Sequence, residues 1–305
     1  MEGVLKARKK KADWKKGLFL ISLLAYPILQ FIIFYVIVNA QSILLAFQTL
    51  NKDFEWTWSG LSNFQAVWGD FFDSEALLQT SFFNAIRNYL ISSVLSYPLT
   101  ILFAYVVYRG FRGVKAFRII VMIPSIVSGM IMGLVFKRFV YAMPNMLEKA
   151  FGLVIPDLMS DPDTVYGVSL FYSLWTGFAG AMLIYPNTMN GIDKEIIESA
   201  RLDGCTSLQE LWHIVLPMIF PTLTTYLVTG ISGFLSNAGP VFLIWNYDAP
   251  TPVYNVGYFI FRRIMYDGAV WYGYVAALGL FCTFISIPIT FGLKAFLEKV
   301  DPTND

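Results

Sequence analysis

The stretch Asn190–Pro221, NGIDKEIIESARLDGCTSLQELWHIVLPMIFP, is a polar island between two long apolar runs. Its first part, Asp193–Leu202, sets Ile196, Ile197 and Ala200 at helical spacing against Glu195, Glu198 and Arg201. Asp203-Gly204 then supplies a stop, because glycine readily takes the left-handed conformation that ends helices. Thr206 or Ser207 caps the next turn, with Glu210 three residues after Ser207 as a capping-box partner. Pro217 and Pro221 fall where the segment bends into the following apolar run. The expectation is helix, glycine break, helix. Such a knob suits docking to another protein; a plain connecting loop is the alternative.

Outward from the island, the sequence is made for hydrocarbon. Of its 305 residues 56% are hydrophobic and 14% charged, and the mean hydropathy is +0.58. That is too little charge to cover a soluble domain of this size. A bilayer core of about 30 Å needs roughly 20 apolar residues per helix. Six runs qualify: Gly17–Val38, Tyr89–Tyr108, Ile119–Phe136, Tyr166–Tyr185, Met218–Val241 and Tyr272–Leu293. None holds an Asp, Glu, Lys or Arg, each expensive at bilayer depth. The expected fold is an all-α polytopic membrane protein with six transmembrane helices in a single domain, residues 1–305. The first run exceeds the apolar core of a signal peptide, about 7–15 residues, and is read as an uncleaved span.

Orientation follows from the basic residues. Fifteen Lys and Arg fall in the N-terminal tail, the second and fourth loops and the C-terminal tail, against six in the other loops. Seven of the fifteen lie in residues 1–16, a basic tail compatible with anionic lipid and requiring no nucleic acid. The positive-inside rule puts both termini and the 190–217 loop in the cytoplasm. Residues 39–88 become an extracellular loop. Its Phe54-Glu55-Trp56-Thr57-Trp58 and Trp68-Gly69-Asp70-Phe71-Phe72 suit a small external cap or a surface helix.

Several chemistries are poorly served. His213 is the single histidine and the cysteines number two, so neither a metal site nor a histidine-based triad is expected. No G-x-x-x-x-G-K-[ST] occurs, so the chain has no loop of that kind to cradle ATP phosphates.

Glu198-Ser199-Ala200, Gly204 after three more residues, Ile214 after nine, then Leu216-Pro217 resembles the EAA---G---------I-LP motif of binding-protein-dependent ABC permeases; Ser199 replaces the usual alanine. Gly60-Leu61-Ser62-Asn63-Phe64, the stretch around Asn84 and Arg118–Pro124 are similar to elements of the maltose-type, di- and oligosaccharide permeases. The resemblance implies a type I importer permease, a non-catalytic transport subunit of a bacterial cytoplasmic membrane. It implies a second homologous permease, two ATPase subunits that bind the ATP and Mg, an extracellular substrate-binding protein and a sugar as solute. The docking residues it implies are Glu198, Ser199, Ala200, Leu202, Asp203, Gly204, Ile214, Leu216 and Pro217.

A sugar path needs hydrogen-bonding groups and aromatic faces, and polar groups in hydrocarbon prefer the bundle interior. On the fourth run Ser173, Thr176, Gly177 and Gly180 share a face, with Tyr172 beside them. On the fifth, Gly230, Gly233, Phe234 and Asn237 do the same, flanked by Thr229. Asn237 stands out, because an amide in a membrane run needs a partner. Close helix packing by the small residues is the competing explanation. Two further functions stay open: an ABC permease for a non-sugar solute, and an ion-coupled secondary transporter. The second would place ionisable residues within the spans.

Overall fold

The computed structural model describes residues 14–73 and 76–302. Residues 1–13, most of the expected basic tail, lie outside the described residues. Helix α1 (Trp14–Phe31), a π-helical turn (Ile32–Ile37) and α2 (Val38–Leu45) make one long apolar rod. Every side chain from Phe19 to Leu44 is exposed, and nothing of this span is buried inside the molecule.

Residues 39–88 divide into three. The start extends the first rod to Leu45, and the end already belongs to the next helix. Between them lies a cap: an antiparallel hairpin of β1 (Gln48–Leu50) and β2 (Trp56–Trp58), then α3 (Ser62–Phe72). The all-helical expectation therefore gains one short pair of strands. Asn63 ties the cap together, its Nδ2 donating to the carbonyls of Ala46 (2.9 Å) and Gln48 (2.8 Å). The Tyr274 hydroxyl donates to Asp70 Oδ2 at 2.6 Å and fixes α3 to the last helix.

The second span runs through α4 (Leu77–Ile91), a π-helical turn (Ser92–Ser96) and α5 (Tyr97–Arg109). The third run is not one straight helix. Helices α6 (Val114–Ile126) and α7 (Gly129–Phe151) meet at 102°. Val127 and Ser128 are extended there, and the Ser128 carbonyl accepts the amide of Met132 to start α7. An apolar count over Ile119–Phe136 registers no break because no charge marks it. Helix α8 (Pro162–Asn190) begins on Asp161, whose side chain accepts the amide of Asp163, with Pro162 in the first turn.

Next come α9 (Lys194–Leu202) and α10 (Ser207–Glu210), a π-helical turn (Leu211–Val215) and α11 (Leu216–Gly233). From Ser207 to Gly233 these form one candidate span, so Pro217 and Pro221 do not divide it. Helix α11 stops at Gly233, and the fifth run breaks within its expected length. Asn237 Oδ1 accepts the amide of Gly239 at 2.8 Å, closing an Asx turn. Helix α12 (Gly239–Trp245) starts after it with Pro240 in its first turn, where a missing amide hydrogen costs least. Helices α13 (Val256–Tyr266) and α14 (Tyr272–Val300) complete the chain. Among the described residues, five helices are long and apolar enough to cross a membrane, and six spans result when α6 and α7 count as one.

Three buried clusters hold this together. One joins the cap to α4, α13 and α14 through Val67, Leu78, Phe259 and Leu278. A second joins α7, α8, α12 and α13 through Phe136, Tyr172, Ile244 and Tyr258. The third lies under the α9–α10 loop and contains Tyr105, Met189, Ile197, Leu211 and Val215. Large apolar side chains also cover the outside of the long helices, which fits hydrocarbon as the surrounding solvent.

Candidate functional site

The first candidate is the α9–α10 loop. Asp193 caps α9 by accepting the amide of Glu195 at 3.1 Å. At the far end Gly204 has φ +84°. The Cys205 amide donates to the Ala200 carbonyl and the Gly204 amide to the Arg201 carbonyl. This pair of bonds is the Schellman closure, and it needs a left-handed residue where Gly204 stands. The cap of α10 is Thr206, which exchanges bonds with Gln209: Thr206 N to Gln209 Oε1 at 2.8 Å, and Gln209 N to Thr206 Oγ1 at 3.5 Å.

Glu210 is therefore not the capping partner of Ser207. Its carboxylate accepts Nε (2.9 Å) and Nη2 (3.1 Å) of Arg201, a bidentate pair spanning the glycine break. Glu210 is only 1% exposed. A carboxylate buried this deeply needs such a partner. Hydrogen bonding to Glu210 also raises the Arg201 pKa, keeping the guanidinium charged.

The implied docking residues divide by exposure. Glu198, Ser199, Asp203 and Gly204 are exposed, Ala200 is half-buried, and Leu202 stands 89% exposed at the tip. Ile197 points the other way, into the core under the loop. Ile214, Leu216 and Pro217 are half-buried where the loop passes into α11. An apolar tip flanked by a free helix face suits contact with another protein.

The second candidate is a pair of adjoining chambers, of about 370 Å³ and 450 Å³. Ser92, Tyr97 and Ser173 line both. The first also takes in Thr229, Gly230, Gly233, Phe234 and Asn237; the second takes in Gly177 and Gly180 and lies nearer the loop core. Two expected path residues fall outside. Tyr172 is buried against Phe136, with ring centroids 4.9 Å apart. Thr176 returns its hydroxyl to the Tyr172 carbonyl at 2.8 Å and lines neither chamber. Tyr172 sits on the face of α8 turned to α7, one residue round from Ser173.

Sequence reasoning missed the opposite wall. Asn88, Tyr89, Ser92, Ser93 and Tyr97 come from the second span, and Tyr226 from α11. Tyr89 donates to the Leu227 carbonyl at 3.0 Å, and Asn88 Oδ1 accepts the Tyr166 hydroxyl at 2.5 Å. The helices approach most closely at Gly230. A methyl group there would lie 3.1 Å from Tyr97 Oη and 3.2 Å from Tyr89 Cε2. Among the described residues no Asp, Glu, Lys or Arg lines either chamber. Hydroxyls, amides and ring faces make up the polar lining.

With this geometry in hand, the chain belongs to the family described as "Binding-protein-dependent transport system inner membrane component", matched over residues 96–303. It is a multi-pass membrane protein of that family. Among relatives, "Multiple sugar-binding transport system permease protein MsmF" of Streptococcus mutans is 25% identical over 191 residues, 62% of this chain and 64% of MsmF. "Maltose/maltodextrin transport system permease protein MalF" of Klebsiella aerogenes is 25% identical over 214 residues, 66% of this chain and 41% of MalF. The match thus spans less than two thirds of the length of either relative. Among solved structures, a chain of a bacterial ABC transporter that imports the acidic polysaccharide alginate superposes with a TM-score of 0.79 at 21% identity. The superposition covers 94% of this chain and 98% of that one, and it establishes the shared fold.

Proposed function

We propose that this chain is the solute-translocating subunit of an ATP-driven importer for an uncharged sugar, most simply a di- or oligosaccharide. The observation that carries the reading is the double chamber, walled by hydroxyls, amides and aromatic rings without a charged side chain. Such a lining exchanges hydrogen bonds with a polyol and stacks on pyranose faces, and it offers no counter-ion to a charged solute. The sugar-permease names of MsmF and MalF support the same class.

In this reading both termini and the α9–α10 loop are cytoplasmic, and the membrane is the bacterial cytoplasmic membrane. The exposed Glu198 face and Leu202 tip dock in a cleft of a separate ATPase subunit, which holds the ATP and Mg. A second homologous permease completes the pathway, two ATPases drive it, and an extracellular binding protein delivers the sugar. Nucleotide-driven closure of the ATPases then moves the loop and opens the chambers alternately to the two sides.

The test is uptake into proteoliposomes holding the assembled complex with binding protein outside and ATP inside. Labelled neutral oligosaccharide should accumulate only with ATP and binding protein present. Uptake driven by an ion gradient without ATP would overturn the importer reading. Preferential uptake of an ionised sugar would overturn the assignment to an uncharged one, and preferential uptake of a non-sugar solute would overturn the sugar assignment.

A further inference from the structure

We propose that Tyr105 and Arg109 on α5, acting on a loop stiffened by the Arg201–Glu210 pair, clamp the cavity wall formed by the second span to the moving loop. The proposal rests on the importer reading above and adds positioning residues that the docking motif does not contain.

Helix α11 already connects loop and cavity, because the chain runs from Glu210 through a π-helical turn into the helix that carries Thr229, Gly230 and Gly233. The opposite wall, with Ser92 and Tyr97, has no covalent link of that kind. Two side chains tie it to the loop by hydrogen bonds. The Tyr105 hydroxyl donates to the Ser207 carbonyl at 2.9 Å, and Arg109 Nη1 donates to Ser207 Oγ. They stand four residues apart on one face of α5, and both end on the same residue of the loop.

The loop end of this linkage is stiff. The other carboxylates of the loop, Asp193, Glu195, Glu198 and Asp203, are exposed, whereas Glu210 is buried in a two-bond pair with Arg201. That pair spans Gly204, so α9 and α10 move as one body rather than folding at the break. Below them Ile197, Leu211 and Val215 share a core with Ala104, Tyr105 and Val107 of α5. The helix end is also continuous: α5 runs unbroken from Tyr97 to Arg109. Tyr105 stands eight residues, about 12 Å, from Tyr97. Beyond Tyr97 the regular ladder gives way to the π-helical turn Ser92–Ser96, the place where the second span yields most readily. Displacement of the loop therefore reaches both walls, through α11 by the chain and through α5 by the clamp.

The experiment uses the complete reconstituted complex and the double variant Tyr105→Phe with Arg109→Leu, which removes both donors. Solute moved per ATP hydrolysed should fall about tenfold or more, within the usual range of coupling between sites. Arg109→Lys alone, which keeps a donor, should retain most of the wild-type ratio. A second readout needs no transport: hydrogen exchange should quicken at 92–96 in the double variant and stay unchanged at 219–233. An unchanged solute-to-ATP ratio together with unchanged exchange at 92–96 would overturn the clamp. Where the double variant does not assemble, Tyr105→Phe removes one hydroxyl and is read by the same two measurements. If the wild-type complex moves no sugar with ATP, the importer reading falls while the exchange measurement still decides the clamp.

Discussion

The chain breaks its helices at Asp203–Thr206 and again at Phe234–Ala238, and the two breaks are built from opposite materials. In the loop, freed backbone groups are met by a glycine closure and a Thr206–Gln209 box, and a bidentate ion pair ties the two helices together. In the apolar run, Asn237 meets one freed amide, the amides of Ser236 and Asn237 fall back on the Gly233 carbonyl, and α13 is pressed close against the turn. A methyl group on Gly257 of α13 would lie 2.5 Å from the Asn237 carbonyl carbon and from the Ala238 amide nitrogen. One break is held by polar side chains at a surface. The other has fewer side-chain bonds and adds backbone pressed on backbone.

That contrast ranks what substitutions do. Gly257→Val is expected to have the largest effect, because its side chain must displace main chain and not a flexible neighbour. Overpacking of this kind costs about 3 kcal/mol or more, read as loss of folded protein in a thermal melt of the purified complex. Glu210→Ala comes second. It leaves Arg201 without its acceptor, and since that guanidinium is nearly half exposed, the cost is set at about 2 kcal/mol. The same melt measures it, and faster proteolysis within 194–210 locates it.

Gly204→Ala is smaller, about 1 kcal/mol, because it forces a Cβ into the left-handed conformation with open space around it. A melt shift equal to that of Gly257→Val would erase the distinction between the breaks. Asn237→Ala is expected to be smallest for stability, below about 1 kcal/mol, the loss of one capping bond. Its signature lies elsewhere, in weaker uptake of sugar, because the amide also lines the first chamber. Stability lost without any change in uptake would make Asn237 a turn residue alone.

The loop was legible because its information is contiguous. Ile197 facing in, Glu198 facing out and Gly204 at the stop are all fixed by local spacing. Of the two expected caps Thr206 serves, with Gln209 and not Glu210 as its box partner, because Ser207 is engaged by α5 and spacing alone does not register a partner a hundred residues away. The broken spans were harder. An apolar count from Met218 to Val241 passes over Asn237-Ala238-Gly239-Pro240, although that tetrapeptide is itself a turn signal. The fourth and fifth runs gave up part of the cavity through their small residues, but Thr176 shared the pattern while returning its hydroxyl to its own helix, and Tyr172 beside them packs on α7. The second-span wall stayed hidden even though Ser92, Ser93 and Ser96 cluster inside an apolar run.

The π-helical turn at Ser92–Ser96 has a consequence for angular phase. Eight residues of regular α-helix would set Tyr89 and Tyr97 about 80° apart around the axis. A π-helical turn absorbs one residue, so they fall at an effective separation of seven, within about 20° of each other. Both accordingly reach Gly230. Inserting a single residue within 92–96 acts as a rotation, turning Tyr89 out of line with Tyr97, whereas deleting one removes the bulge and leaves the two rings seven residues apart and still aligned. A chain of the same length with a regular helix here would present a different ring to the solute from a nearly identical sequence.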